Sequence, residues 1–389
     1  MSCTERKRLK TLEEVKQKRI RLADAAAILG MCYRQAQRVW IRYRDHGDEG
    51  LVNRSRGKPS NHSIDREVRD RIVDRYRERY MGFGPTLAAE KLAEEGLPID
   101  HNTLWRWLLE EGLWTRQRSR SPYRQRRERK KHFGELVQMD GSFHHWFEDR
   151  GEESCLMNMV DDATGITMGV MSKEETTEAA MRLLWAWIER YGIPAALYCD
   201  RKSVYITERE PTLEEQLAGE EPLTAFGRAC KKLGITIITA HSPQAKGRVE
   251  RNHGVYQDRF VKELRLRGVD SIKQANELLK GGFCDELNTR FAKKAASQAD
   301  CHVKLTRGTD LRVIFCLEID RSVARDWVVQ YDCRRFQIRP TAKPLPRPGS
   351  KVTVARWLDG SIHLLVKGTE IPFDEIQPVA GREEDGIAV

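Results

Sequence analysis

The sequence predicts a multidomain protein with an all-α N-terminal part, a central α/β core and a small C-terminal β-domain. Three observations predict it. Apolar residues recur at helical spacing before residue 115, strand and helix patterns alternate from about 133 to 290, and period-two alternation dominates from 300 to 380. At 389 residues the chain is too long for one typical core. Its net charge of +10 and pI near 9.1 favour an anionic partner, nucleic acid above all, and say nothing about fold.

Residues 1–56 read as short helices. Thr11 and Glu14 make a capping box from which a helix through Leu12, Val15 and Ile20 would follow. In "LADAAAILGMCYRQAQRVWIRY", Ala25, Ala26 and Leu29 share a helical face, Gly30 breaks it, and a second helix runs from about Cys32 to Tyr43 with Arg34, Gln35 and Arg38 outward. That is the helix-turn-helix pattern, although an αα-hairpin with a solvated basic face would read the same.

The pattern returns over 62–114. A helix at 63–80 carries apolar Ile64, Val68, Ile72 and Val73, and Pro85 opens a helix to Glu95. Asp100 or Asn102 caps a last helix that turns Leu104, Trp107 and Leu108 inward and leaves His101, Thr103 and Arg106 outside. Two such modules in a basic chain favour DNA. Between them lies a polar linker, 53–61.

The segment 115–132 is a basic linker whose one acid is Glu128. It reads as a solvated tether or as an arm that tracks phosphates through Arg124, Arg126, Arg127, Lys130 and Lys131.

From 133 to 290 the order is three strands, helix, strand, helix, strand, long helix. Asp140 falls mid-way along the first strand, Asp200 ends the strand after the first long helix, and Glu250 lies in the last long helix, 243–267. In this order the three acids converge on one end of the sheet. Clustered carboxylates repel unless a cation joins them, and an all-oxygen set favours Mg²⁺ or Mn²⁺. Asp161 and Asp162 read as a turn between strands. His144 and His145 take opposite strand faces, without ligand spacing to another histidine, and Trp185 and Trp187 read as packing residues.

In the C-terminal part, Asp359-Gly360 is a hairpin turn between "VTVARWL" and "SIHLLVK". The sequence predicts a small barrel-like β-domain over 300–380, preceded by a linker and followed by an acidic disordered tail, 381–389. The nine cysteines form no C-x-x-C pair, which fits free thiols in a reducing compartment. A charged N-terminus and the lack of a long apolar run predict a soluble cytoplasmic, nucleoid-associated protein with no membrane contact.

At this point a family is visible. The strand order is that of the RNase H-like fold, and "HSPQAKGRVERNHG" closely resembles the S-P-Q-x-x-G-x-V-E-R signature of bacterial insertion-sequence transposases with an integrase-type DDE core. "VQMDGS" resembles the first-Asp motif and "LYCDRKSVY" the second. The whole chain is most like the ISNCY group. The resemblance implies Asp140, Asp200 and Glu250 as catalytic ligands of two Mg²⁺ or Mn²⁺ ions, in an enzyme that works as a multimer on DNA. The reaction implied is water-driven cleavage at the element's terminal repeats, then attack of the freed 3′-OH on target DNA, with no covalent protein–DNA intermediate.

Two departures stand out. An acidic insertion at 206–221 lengthens the stretch between Asp200 and Glu250, and Arg201-Lys202 replaces the usual Asn-Gly. Helix-turn-helix modules also stand where retroviral integrases have a zinc-binding N-terminus. Glu250 sits among Lys246, Arg248, Arg251 and His253. Helical spacing puts Lys246 and His253 on its face, as DNA contacts or as a simple surface pairing. Ser242 and Gln244 would shape the helix start. The competing readings are a non-enzymatic DNA-binding protein with a retired core and a simple nuclease of the same fold.

Overall fold

The computed structural model describes residues 1–57, 64–115, 127–219, 221–239 and 247–376. It divides into two compact units, Met1–Glu78 and Arg79–Val389. The division falls within 62–114.

In the first unit α1 (Cys3–Lys16), α2 (Leu22–Ile28) and α3 (Tyr33–His46) close on Leu12, Val39, Tyr43 and Leu51. The expected start of α1 needs correction. Ser2 and Glu5 form its capping box, while Thr11 lies inside the helix and donates its hydroxyl to the Lys7 carbonyl at 3.0 Å. The helix ends at Lys16, short of Ile20. Both sites fit the S/T-x-x-E pattern, but α1 already runs through Thr11, so only the earlier one stands at a helix end. Gly30 takes φ +66° in the turn between α2 and α3, a backbone that suits glycine.

Helix α4 (Arg66–Arg79) buries Ile72, Val73 and Tyr76, whereas the expected Ile64 and Val68 are exposed. In the second unit, Pro85 occupies the first turn of α5 (Pro85–Glu94), and the Asp100 carboxylate accepts the Asn102 and Thr103 N–H groups at the start of α6 (His101–Glu110). Helix α5 is pinned to the core. The Glu90 carboxylate meets Arg259 in a two-pronged contact at 2.6 and 3.1 Å and also pairs with Arg290, while Lys91 lies 3.2 Å from Glu263.

The core sheet holds β1 (Val137–His144), β2 (Ser154–Asp161), β3 (Thr167–Ser172), β4 (Ala196–Cys199) and β5 (Thr236–Thr239) in the order 3-2-1-4-5. Strand β1 runs antiparallel to β2 and parallel to β4, which is the RNase H-like arrangement expected. Strand alternation divides the residues between the faces. Val137, Met139, Met157 and Met159 pack with α7 (Thr177–Tyr191) and α9 (Ala225–Lys232). On the other face Leu156 and Met171 meet Tyr256 and Phe260 of α10 (Gly247–Leu266), beside α11 (Ile272–Leu278) and α12 (Cys284–Phe291). The insertion forms a short helix, α8 (Leu213–Ala218), with Leu213 and Leu217 exposed.

The segment expected to open the β-domain belongs partly to the core. Phe133 bridges Asp300, Ile193 bridges Val303, and the Trp187 indole donates to His302 Nε2 at 3.0 Å. After the short α13 (Leu311–Ile314) come β6 (Cys316–Ser322), β7 (Val328–Tyr331), β8 (Arg334–Ile338), β9 (Lys351–Trp357), β10 (Ile362–Val366), β11 (Thr369–Ile371) and β12 (Phe373–Ile376). The hairpin at Asp359-Gly360 is present, with Gly360 at φ +89°. Among the described residues the expected barrel does not close. Two open sheets, β11-β10-β9-β6 and β12-β8-β7, face each other across Phe336, Ile338, Val352, Val354 and Leu364. Pro340, Pro344, Pro346 and Pro348 separate β8 from β9, and prolines lack the N–H that would carry a ladder from one sheet to the other.

Candidate active site

Register decides where the acids stand. Val137 pairs with Leu197 and Gln138 with Tyr198 on parallel β1 and β4. The same offset carried two residues further would bring Asp140 opposite Asp200, and both carboxylates act on the Lys202 ammonium. Asp200 immediately follows β4, at its carboxyl end. Asp140 shares a strand face with Gln138 and Ser142, the face covered by α10.

Helix α10 is tied along that face. The Val249 N–H donates to Gln138 Oε1 at 3.2 Å, and the Gln257 amide donates to Ser142 Oγ at 3.2 Å. Between them Asn252 and Asn158, whose strand position faces Asp140, bond at 2.7 Å. Glu250 therefore enters on the first turn of a helix anchored to the strand that bears Asp140. Its side chain is exposed. Among the described residues no three His, Cys, Asp or Glu side chains are close enough to hold a metal ion. So the fold sets Asp140 on β1, Asp200 just past the end of neighbouring β4 and Glu250 on the covering helix, without gathering the three carboxylates into one cluster.

His253 departs from expectation. It follows Val249 and precedes Gln257 by one turn each, so it lies on the buried stripe of α10 and is 9% exposed. Glu250 faces solvent and His253 faces the sheet, and a direct phosphate contact by His253 would need exposure that it lacks. Lys246, Ser242, Gln244, Arg124 and Arg126 lie outside the described residues. Arg34, Gln35 and Arg38 are exposed along α3, as the helix-turn-helix reading requires. On α6 Arg106 is exposed and donates to the Thr103 hydroxyl at 3.3 Å.

The end of the basic linker is engaged with the core. Asp162, fully buried, pairs with the Arg127 guanidinium, accepts the Lys130 N–H at 2.8 Å, the Gln138 amide at 2.9 Å and Arg248 Nε at 2.7 Å. Asp161 caps the turn as expected, accepting the Thr164 N–H and hydroxyl, each at 2.7 Å. Lys130 also reaches Glu135 at 3.1 Å, and Lys131 remains exposed. Arg127 and Lys130 thus anchor the linker to the core.

Helix-turn-helix sequences match at two overlapping places, a helix-turn-helix domain over residues 7–60 and a homeodomain-like domain over 35–108. A Sinorhizobium fredii protein named as a transposase, y4bF, is 35% identical over 96% of this chain and 81% of its own. The chain belongs to the transposases. The transposase of insertion sequence IS1202 from Streptococcus pneumoniae is 28% identical over 69% of this chain and 64% of its own. Solved structures overlap more loosely. The magnesium-bound catalytic core of the HTLV-2 integrase has a TM-score of 0.28 at 18% identity, covering 39% of this chain and 86% of that one. An intasome of simian T-cell lymphotropic virus with the PP2A regulatory subunit B56 gamma has 0.34 at 16%, covering 76% and 96%. Overlaps that loose carry no weight for chemistry.

In this transposase Asp140 stands next to a cation already. The Lys202 ammonium lies 3.8 Å from Asp140 Oδ1 and 2.5 Å from Oε2 of Glu175. Burial disfavours its charge, but Glu175, Asp140 and Asp200 outweigh that and hold its pKa above the usual lysine range. Asp140 and Glu175, which share that ammonium, are oxygen donors of the kind a hard divalent ion takes, with no third carboxylate among the described residues close enough to complete a cluster. The Lys202 carbonyl accepts the Tyr205 and Ile206 N–H groups at 2.9 and 3.0 Å, so Arg201-Lys202 opens a hydrogen-bonded turn in place of the usual Asn-Gly. Gln138, Asp162 and Glu175 were missed as site residues. Each lies far in sequence from the residue that it holds, and no local pattern announces it.

Proposed function

We propose that this transposase is a metal-dependent polynucleotidyl transferase that cleaves DNA at its element's ends and joins the 3′-OH to target DNA. Asp140, Asp200 and Glu250 are its catalytic acids and would hold two Mg²⁺ or Mn²⁺ ions. What supports this reading is the β1–β4 register, whose offset would bring Asp140 opposite Asp200, together with the bond that holds the first turn of α10, which bears Glu250, on β1. Such ions, when bound, activate an attacking oxygen and stabilise a leaving one. The chain supplies the rest. Gln138 fixes the height of α10 on β1, Asp162 fixes Arg248 at its first turn, and Glu250 stands exposed on that turn.

DNA is the partner that the helix-turn-helix matches and the family support. Arg34, Gln35 and Arg38 on α3, and Thr103 and Arg106 on α6, would meet the element's terminal repeats. Lys131 and the basic stretch before it would meet the backbone. Assembly as a multimer on paired ends and membership of the ISNCY group complete the proposal. No helix among the described residues is long and apolar enough to cross a membrane.

Strand transfer with Mg²⁺ or Mn²⁺ and labelled DNA carrying the element's ends, with Glu250→Gln in parallel, tests it. Joined product from the wild type alone, with DNA binding kept in both, supports the proposal. Joining that survives Glu250→Gln overturns the catalytic assignment. Binding without joining in either protein would favour a DNA-binding regulator.

A further inference from the structure

Glu175 and Lys202 form a pair at the acidic site. Lys202 Nζ lies 2.5 Å from Glu175 Oε2 and 3.8 Å from Asp140 Oδ1. Tyr205, one turn on from Lys202, directs its hydroxyl to the other oxygen of Glu175 at 3.3 Å. The Glu175 side chain is only 6% exposed, so this carboxylate is fixed in the wall of the site. It can stand there because residue 141 is glycine. A Cβ on Gly141, next to Asp140, would come within 2.6 Å of Glu175 Oε2. The Lys202 side chain is 42% exposed and has an open route to solvent.

We propose that Lys202 is a tethered cation of the acidic site, parked on Glu175, whose ammonium competes with a divalent ion for the carboxylate of Asp140. This rests on the reading of Asp140 as a metal ligand. A hard divalent ion binds a carboxylate oxygen at about 2.0–2.1 Å. An ammonium within 3.8 Å of the same oxygen would then face a doubly charged ion at close range, where like charges repel strongly. Filling the site therefore requires Lys202 to swing out along its exposed side. The ammonium offsets part of the negative charge of Asp140 in the resting protein and lowers its affinity for metal. Glu175 is a positioning residue here, since it acts only through Lys202.

The test is Mn²⁺ binding to the full-length protein without DNA, followed by the electron paramagnetic resonance signal of free Mn²⁺. Lys202→Gln is expected to bind Mn²⁺ about tenfold more tightly, a change of about 1.4 kcal/mol, and Lys202→Arg to stay near the wild type. Unchanged or weaker binding by Lys202→Gln overturns the proposal. The same substitution in a Glu175→Gln background, where no buried carboxylate is left unpaired, should tighten binding relative to Glu175→Gln alone. That comparison serves if the single variant folds poorly. Asp140→Asn separates the two ideas. If it abolishes binding while Lys202→Gln changes nothing, the metal site stands and the competition is refuted. If it leaves binding intact, the metal-site reading falls and this inference with it.

Discussion

The Val249 N–H donates to Gln138 Oε1 at 3.2 Å, while the amide of the same glutamine donates to Asp162 Oδ1 at 2.9 Å. One buried side chain thus joins β1 and the start of α10 to Asp162, the acid that holds the end of the basic linker. Gln138→Leu should strand the Val249 N–H and cost about 1–3 kcal/mol. Strand transfer should fall further than that loss of stability explains, because the first turn of α10 carries Glu250. Urea unfolding beside joining assays checks it, and an activity loss no larger than the fraction unfolded would contradict it.

Asp162 is the buried acid that faces two guanidinium groups, Arg127 and Arg248. Removing one member of a buried pair leaves uncompensated charge. Asp162→Ala is expected to cost about 3 kcal/mol, at the low end for such pairs because Arg127 reaches solvent. Limited proteolysis should then cut the linker near 127–132 earlier than in the wild type.

Glu90 joins α5 to α10 and α12 through Arg259 and Arg290. Burial alone would raise its pKa, but the two arginines hold it below the ordinary carboxylate range. Glu90→Ala should cost about 1–2 kcal/mol, between an exposed and a buried pair. Hydrogen exchange should show faster amides in α5 with the core sheet unchanged.

Glu5 gives the N-terminal unit a pH dependence. The Ser2 and Asn53 N–H groups and the Arg56 guanidinium lower its pKa from 4.5 to about 2. A depressed folded-state value adds stability above the unfolded pKa, and that stability is lost as pH falls through the folded one. Exchange protection of α1 should therefore decline between about pH 4.5 and 2. In Glu5→Gln that decline should be nearly flat.

Arg34 and Arg38 lie exposed on α3, so replacing them should leave the melting temperature unchanged. Every DNA phosphate that the variant no longer neutralises should reduce the slope of log affinity against log salt by about 0.9. Arg38→Ala with terminal-repeat DNA over a range of salt measures this. An unchanged slope together with unchanged affinity would remove Arg38 from the interface.

Much of the fold was legible because it is written in local periods. Alternation in "VQMDGSFH" marks β1, amphipathic spacing marks α7, and Asp359-Gly360 marks its hairpin. The two candidate capping boxes mark the limit of such signals. Ser2-Glu5 and Thr11-Glu14 carry the same pattern, and only the extent of α1 separates them, with Ser2 at its start and Thr11 inside it. His253 shows the same limit, since its spacing from Glu250 is plain in the sequence but the face that meets the sheet is not.

The sequence by itself determined the order of elements, the basic character of the chain and the three acids at their strand and helix positions, all properties of residues near one another along the chain. Only the tertiary structure decided that β1 runs parallel beside β4, that Lys202 bridges toward Asp140 and Glu175, and that Asp162 ties Arg127 to Arg248. It also decided that the C-terminal strands form two open sheets. These depend on strand register and on charges burying together across long chain separations, where the energy belongs to the pair and neither residue alone reveals its partner.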